Sequence, residues 1–427
     1  MSLLLVVVLL FFSSSCSVSS GQYYVSDDCS SVTQSPCHPL SVYVGDMSQY
    51  NNTIFYFIGT TISNGFSITA KNVTLHGMDQ FSNVNCRNKG FIIHDSSHIN
   101  ISSLTIRQCI VDIISCNNVT ITNSSFITNT VSSVRLDTVF DVKILSPVLV
   151  AYIINIWFEP LPVCSNELPH YSLILTNVTL NNNSRMELTM RHGTSYKLSI
   201  TIDNVEFSNL VKSPFLYSID DSLFYFLVTN SSFHDAITYG YEITISFTSK
   251  QNIFDCNYPG VEKTSTIVFE DCHFYHNPRA LNIKSDMYLP GTINYHLIIR
   301  SCLLYDNINE GIFIDGTFLR LIQIDITDTE LIGNGGNKIL NSLSTSISLS
   351  NVTVANSTST GLTLDASIVT IKNNLIFKNN TGVVGGGLAL NDSSRLILSP
   401  AANLKFIDNH ASYKGGGIYL EESTRAT

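Results

Sequence analysis

Charge is scarce in this chain. Asp, Glu, Lys and Arg together make up 13% of 427 residues, and the formal net charge of −10 is scattered without a run of either sign. A nucleic-acid binder, or a protein held on anionic lipid, needs a basic patch or a polybasic segment, so neither partner is expected. No Cys-x-x-Cys occurs, which removes the commonest zinc spacing, and no metal ligand or cofactor-binding set can be read from the chain. After the first residues, no apolar run reaches membrane length. Residues suited to long helices are few; Asn, Ser, Thr and Ile are abundant beside 23 Phe and 19 Tyr, which is β-rich usage.

What is present is a recurring spacing, apolar-x-apolar-x-x-apolar-x-apolar-x-x-Asn. Clear copies are Leu297, Ile299, Cys302, Leu304, Asn307; Ile324, Ile326, Thr329, Leu331, Asn334; and Ile267, Phe269, Cys272, Phe274, Asn277. Each alternating pair reads as a short strand with one buried face, and the extra residue between the pairs breaks the period of two, so the chain turns there. A third wall follows in Gly311-Ile312-Phe313-Ile314, Gly361-Leu362-Thr363-Leu364, Gly387-Leu388-Ala389-Leu390 and Gly417-Ile418-Tyr419-Leu420. Three short strands per repeat, none able to bury its apolar face alone, predict a solenoid whose coils stack as parallel strands. The fold expected is therefore all-β, a right-handed parallel β-helix, the hand following the preference of parallel connections. The terminal Asn, recurring in register, predicts a ladder of amides bonding up and down the stack, because a buried amide without partners is costly.

First positions of the repeat are read at Ile68, Ile99, Val119, Leu173, Ile200, Phe226, Ile267, Leu297, Ile324, Ile347, Val369 and Leu396. That gives about twelve irregular coils of roughly twenty residues plus loops. The division expected is a signal peptide over 1–21, a capping region over 22–67, the β-helix over 68–420 and a short tail over 421–427. The tail has neither the apolar period nor the length to cover the last coil, so truncation of a longer chain or end-to-end assembly is expected. Residues 130–170, with the single Trp157, yield no register.

Two segments carry a resemblance. Phe406-Ile-Asp-Asn409 leading to Gly415-Gly416-Gly417-Ile418, and the looser Phe377-Lys-Asn-Asn380 leading to Gly385-Gly386-Gly387-Leu388, resemble the repeats of polymorphic outer-membrane and adhesin-like proteins. More broadly the chain resembles the right-handed β-helix domain family. The resemblance implies the fold and a surface location, and no binding residues.

The start, Met1 to Phe12 apolar and then Ser13 to Gly21 small, fits a secretory signal cleaved near Ser19 to Gly21 rather than a membrane anchor, and places the protein outside the cell or on its surface. Asn72, Asn123, Asn177, Asn230 and Asn351 begin Asn-x-Ser/Thr acceptors at the corner between the first two walls and are the candidate glycosylation sites. Without Cys16, nine cysteines remain, so at least one thiol is unpaired. Cys29 and Cys37 precede the clear coils and fit a stapled cap. Cys272 and Cys302 occupy one inward position of successive coils about 4.8 Å apart, where either a disulfide or an unbonded stack fits.

Polysaccharide catalysis on such a solenoid needs carboxylates held together on one wall. The Asn-Thr-Asp, Asp-Asp, Gly-His-Gly and Arg-Ile-Lys series of polygalacturonase-like enzymes is missing, as are pectate-lyase and pectin-esterase signatures. Asp203, Glu206, Glu270, Asp271, Asp325 and Asp328 fall at outward or corner positions where charge is solvated. No catalytic residue is assigned. The expectation is a secreted or surface-displayed interaction module binding a protein or glycan through its loops, with loop aromatics such as Tyr239, Tyr241, Tyr288 and Tyr295 as sugar platforms. The alternative is a divergent carbohydrate-active enzyme, and fold alone does not choose between them.

Overall fold

The computed structural model describes residues 21–44, 47–127, 133–137, 140–145, 149–150, 153–158, 170–181, 186–190, 197–210, 213–219, 223–246, 264–285, 294–317, 321–340, 346–421 and 424–426. The signal peptide expected over 1–21 lies outside them except for Gly21.

The chain is a right-handed parallel β-helix. Its first wall is a 17-stranded sheet, its second a 9-stranded sheet, and its third runs from Phe66–Ile68 to Ile418–Leu420. Every pairing between these strands is parallel, as in Ile267↔Leu297 and Leu297↔Ile324 on the first wall, Phe274↔Leu304 on the second and Ile283↔Ile314 on the third. Alternate residues point inward and form one continuous apolar core along the axis. Within it like stacks on like: the rings of Phe207, Phe233 and Phe274 follow one another at 4.8 and 4.7 Å, nearly parallel. Each such contact contributes about 0.5–1.5 kcal/mol beyond burial.

The residue that breaks the period of two adopts a left-handed conformation. At the first corner this is Asn177, Asn204, Asn230, Asp271, Ser301, Asp328 and Asn351, all with φ between 49° and 57°. Asn and Asp tolerate that region where most side chains do not, which accounts for their recurrence. Their N–H groups are not wasted. Asn177 donates to the Asp203 carbonyl, Asn204 to Thr229 and Asn230 to Glu270, each at 3.1 Å, so the corner is stitched to the next coil.

At the second corner a left-handed residue, Asp235, His276, Asp306 or Asp408, precedes the inward position. Three successive coils fill that position with Asn277, Asn307 and Asn334, each at most 1% exposed. Asn277 donates its side-chain N–H to Asn307 Oδ1 at 3.2 Å, and Asn307 donates to Asn334 Oδ1 at 2.8 Å. Each amide also donates to the carbonyl of the central second-wall residue one coil earlier: Phe233, Phe274 and Leu304. Ser357 breaks the column, which resumes as Asn380 donating to Asn409 Oδ1 at 2.8 Å. Glycine at the start of the third wall makes room for these amides. A Cβ on Gly311 would sit 2.8 Å from the Asn334 amide nitrogen, and one on Gly387 would sit 2.7 Å from the Gly417 carbonyl and 2.8 Å from the Phe406 ring, so the glycines that open the third wall are packing requirements.

The register differs from the sequence expectation in four places. Ile68 lies on the third wall, paired with Ile93; the first-wall position of that coil is Val73, paired with Ile99. Its alternation is followed by a loop rather than one corner residue, which hid the repeat. Within 130–170, Phe140–Leu145 is a first-wall strand with Val142 opposite Val119 and Leu173, and Ile153–Phe158 is a third-wall strand. The first wall therefore has more strands than about twelve coils supply. The stack also begins before residue 68: Gly21–Val25 pairs in parallel with Thr53–Phe57. At the other end, Arg425–Ala426 pairs with Arg395 and Leu396, so residues expected to be tail enter the first wall. Backbone pairing there needs no apolar alternation, which is why the sequence did not announce it.

Between the first two of these strands the chain makes the cap. Cys37–His38 pairs with Tyr24 and Val25 on the outer edge, and a one-turn helix, Leu40–Tyr43, buries Leu40 and Tyr43. The Tyr43 ring lies 5.5 Å from Tyr23 and 5.4 Å from Phe55, closing the open end of the core. Burial, reinforced by Tyr50 and Tyr23, pushes the Tyr43 hydroxyl up to about 12.

Asn307→Ala removes partners from both Asn277 and Asn334, and is expected to cost about 2 kcal/mol, read as a lower denaturation midpoint. Asn204→Val, which forces a β-branched residue to a left-handed φ, should cost about 1–2 kcal/mol while Asn204→Gly stays near neutral. Equal midpoints for the Val and Gly variants would show that the corner conformation carries no such constraint.

Candidate binding surfaces

The five candidate glycosylation residues, Asn72, Asn123, Asn177, Asn230 and Asn351, all occupy exposed positions with φ between 47° and 57°. Four of them bond an amide or carboxylate one coil away: Asn72 to Asn52 at 3.0 Å, Asn177 to Asn204 at 2.6 Å, Asn230 to Asp203 at 2.9 Å and Asn351 to Asp328 at 2.9 Å. Those of Asn177, Asn230 and Asn351 form rungs on the outside of the first corner; Asn72, expected there too, instead precedes the first-wall position Val73, so its rung to Asn52 stands at the corner that leads into the first wall.

Cys29 and Cys37 form a disulfide across the cap. A second one, Cys86–Cys109, joins successive coils at the second corner, where later coils carry the asparagine ladder. It was missed because both residues border a left-handed or bulged backbone that alternation does not reveal: Arg87 and Asn88 after Cys86, and Gln108 before Cys109, all have positive φ. Cys272 and Cys302 are not bonded to each other; they are buried neighbouring thiols. Cys302 donates to the Phe269 carbonyl at 3.5 Å, and Cys272 to that of Val228 at 3.5 Å. Burial, and then the adjacent Cys302, holds the Cys272 thiol well above the usual range. Cys116 is likewise buried and unpaired, and burial raises it too. Cys164 and Cys256 lie outside the described residues.

The acidic residues divide. Asp271 and Asp328 are corner residues with positive φ, Asp203 accepts from Thr229 and Asn230, and Glu270 pairs with Arg300 at 2.9 Å. Asp325 is not simply solvated. On the outer face of the first wall it is 18% exposed and takes bonds from His296 at 2.9 Å and Gln323 at 2.6 Å.

The outward aromatics are not those the sequence suggested. Tyr241 and Tyr295 are fully buried, Tyr288 lies outside the described residues, and only Tyr239 remains partly open. Tyr241 and Tyr295, expected in loops, belong to the strands Tyr239–Ser246 and Asn294–Arg300 and occupy inward positions there. The second wall instead stacks the rings of His234, Tyr275 and Tyr305 at 4.5 and 4.9 Å. Glu206 and Asp235 hold His234 at 3.4 and 2.7 Å. Burial, then Tyr305 and the two carboxylates, raises the Tyr275 hydroxyl. Because the rings lie face to face along the axis, a ligand there meets edges and hydroxyls.

The third wall carries the densest outward cluster. Register sets Tyr239 beside Arg279 and Arg279 beside Glu310, and Glu242, Asn282 and Phe313 form the adjacent row. Arg279 bonds Glu310 at 2.5 Å and reaches Asn282 at 3.4 Å, with its guanidinium 4.3 Å from the centre of the Phe313 ring. Asn282, 1% exposed, donates to Glu242 at 3.3 Å, and Lys284 pairs with Glu242 at 3.1 Å. Sequence reasoning missed this cluster because its members come from three coils, separated by 31 or 40 residues, and meet only through register. Among the described residues no group of His, Cys, Asp and Glu is arranged to hold a metal.

Residues 169–354 match the family model described as the right handed beta helix region. The match ends before Phe377, so it does not reach the two segments that resemble adhesin-like repeats. No curated protein and no solved structure matches the chain.

Peptide mapping of the folded protein without reductant should recover the Cys29–Cys37 and Cys86–Cys109 linkages. Cys116, Cys272 and Cys302 should resist alkylation at pH 8 until the chain is unfolded, since all three are buried from the reagent and burial disfavours the reactive thiolate of Cys116 and Cys272. Prompt labelling of Cys272 in the native state would contradict the buried stack.

Proposed function

We propose that the protein is a secreted or surface-displayed interaction module that binds a protein or glycan partner through the outward face of its β-helix. The apolar start with its small-residue cleavage region, the two disulfides and the exposed Asn-x-Ser/Thr corners support a secretory route, since disulfides persist in oxidising compartments. Glycosylation at Asn72, Asn123, Asn177, Asn230 and Asn351 belongs to the same reading. No helix among the described residues is long and apolar enough to cross a membrane.

The observation that carries the proposal is the third-wall cluster. Arg279, Glu242 and Glu310 are 28%, 15% and 22% exposed, held by bonds running from coil to coil and backed by the Phe313 ring. Surface ion pairs contribute little to stability, about 0–1 kcal/mol, so a fixed, part-buried set beside an aromatic ring supports recognition more than it supports the fold. Fixed donors and acceptors lose little entropy on binding.

Arg279→Ala is expected to weaken binding to the best glycan or cell-surface protein found by panel screening by about tenfold, with the melting temperature lowered by no more than about 4 °C. Binding unchanged by Arg279→Ala and Glu310→Gln would remove this face from the interaction. Polysaccharide turnover abolished by Glu242→Gln or Glu310→Gln would instead make the protein an enzyme.

A further inference from the structure

A cleft of about 470 Å³ opens at the first corner near the amino-terminal end of the solenoid. Where most coils turn on a single left-handed residue, the coil beginning Lys71–Gly77 inserts the loop from Met78 to Ser82, which overhangs the corners of the next two coils, Ser103 and Asn123. The lip is braced. Phe81 N–H donates to Asp79 Oδ1 at 2.8 Å, Ser82 Oγ donates to the Phe57 carbonyl at 2.7 Å, and Asn83 donates to the Phe81 carbonyl at 2.8 Å. Its base is fixed by Gly77, where any side chain would collide with the Ser103 carbonyl. This is a built overhang, and its volume falls in the range of about 300–1,000 Å³ typical of small-ligand sites.

The chemistry of the lining selects the ligand. Gln80, Ser103, Thr105 and Asn123 offer uncharged hydrogen-bonding groups, beside the His76 ring; Asp79 is the one carboxylate, already engaged by the lip, and no lysine or arginine is among the lining residues. An anionic ligand would face the Asp79 carboxylate with no lysine or arginine to hold it. The lip carries Phe81 and Met78 at 68% and 44% exposure, an apolar surface beside polar groups. Neutral hydroxyl and amide partners in the cleft, with Met78 in its lining and the exposed Phe81 on the lip between the lining residues Gln80 and Ser82, match the two kinds of surface on a neutral amino sugar. Asn123, which lines the cleft, is followed by Ser124 and Ser125 and so is itself an acceptor for such a sugar.

We infer that this cleft seats an N-acetylglucosamine-type glycan, and that when Asn123 is glycosylated the first sugars of its own chain fill it. The inference is independent of the third-wall cluster. The test uses protein secreted from a glycosylating host, beside Ser125→Ala, which removes the acceptor sequence but keeps Asn123 at its corner. In the native protein the Asn123 glycan should resist endoglycosidase about tenfold longer than the glycan at Asn177, and Phe81→Ala should erase that difference. The Ser125→Ala protein, its cleft free of an attached sugar, should bind N,N′-diacetylchitobiose, with Phe81→Ala weakening that binding about fivefold. If Asn123 proves unmodified while diacetylchitobiose binds the unaltered protein, the seat is confirmed and its sugar comes from elsewhere. Release of the Asn123 glycan at the Asn177 rate, together with no diacetylchitobiose binding by the Ser125→Ala protein, overturns the inference.

Discussion

Every coil of this protein has an apolar interior that only its two neighbours can cover, and the neighbours stand one strand spacing away, about 4.8 Å. That single distance governs the rest. Whatever occupies a position in one coil is pressed against the residue at the same position in the next, so the protein is stable only where each column tolerates repetition. Phenylalanine rings do, as in the column of Phe207, Phe233 and Phe274. Amides do, because Asn both donates and accepts, and Asn277, Asn307 and Asn334 each use both functions. Thiols do as well, which is why Cys272 and Cys302 stand together without a bond.

Outside, the same distance turns against the fold wherever like charges align. Two of the pairs that meet in register are complementary, Glu270 facing Arg300 and Arg279 facing Glu310, whereas Arg395 faces Arg425 at the last first-wall pairing. At the corners, neutral amides bond neighbouring amides or carboxylates, as Asn230 does with Asp203. A chain so poor in charge can satisfy this rule with few ion pairs. The third-wall cluster is therefore notable for its density, since three coils contribute charged groups to one spot.

How much could be read beforehand follows from what repeats. The inward positions of the coils from Leu173 to Leu396 were legible because period-two alternation and a terminal Asn recur there with little interruption. Val73 was not, because a loop replaces the one-residue corner that sets the reading frame, and Val142 was not, because the apolar spacing does not continue in the sequence after Ile144. The Asn ladder was legible from spacing alone, and the structure adds its interruption at Ser357. The Cys86–Cys109 bond was illegible because a bulge there changes which side chains point inward, and composition carries no record of that; Tyr241 and Tyr295 were hidden differently, as the first inward residues of regular strands that begin where loops were expected.

Function resists the same reading for a physical reason. A repeat advertises itself because many coils share its demands, whereas a binding surface is made of departures from the repeat that occur once. The lip from Met78 to Ser82 is such a departure: one coil lengthens a corner that others turn in a single residue, and the cleft exists only because two ordinary corners lie beneath it. Arg279 is another, a residue unremarkable in its own strand that becomes part of a surface when Tyr239, Glu310 and Phe313 arrive from neighbouring coils. In a solenoid, then, the regular positions explain why the chain folds, and the places where the regularity lapses without a break in the core are where recognition can be built.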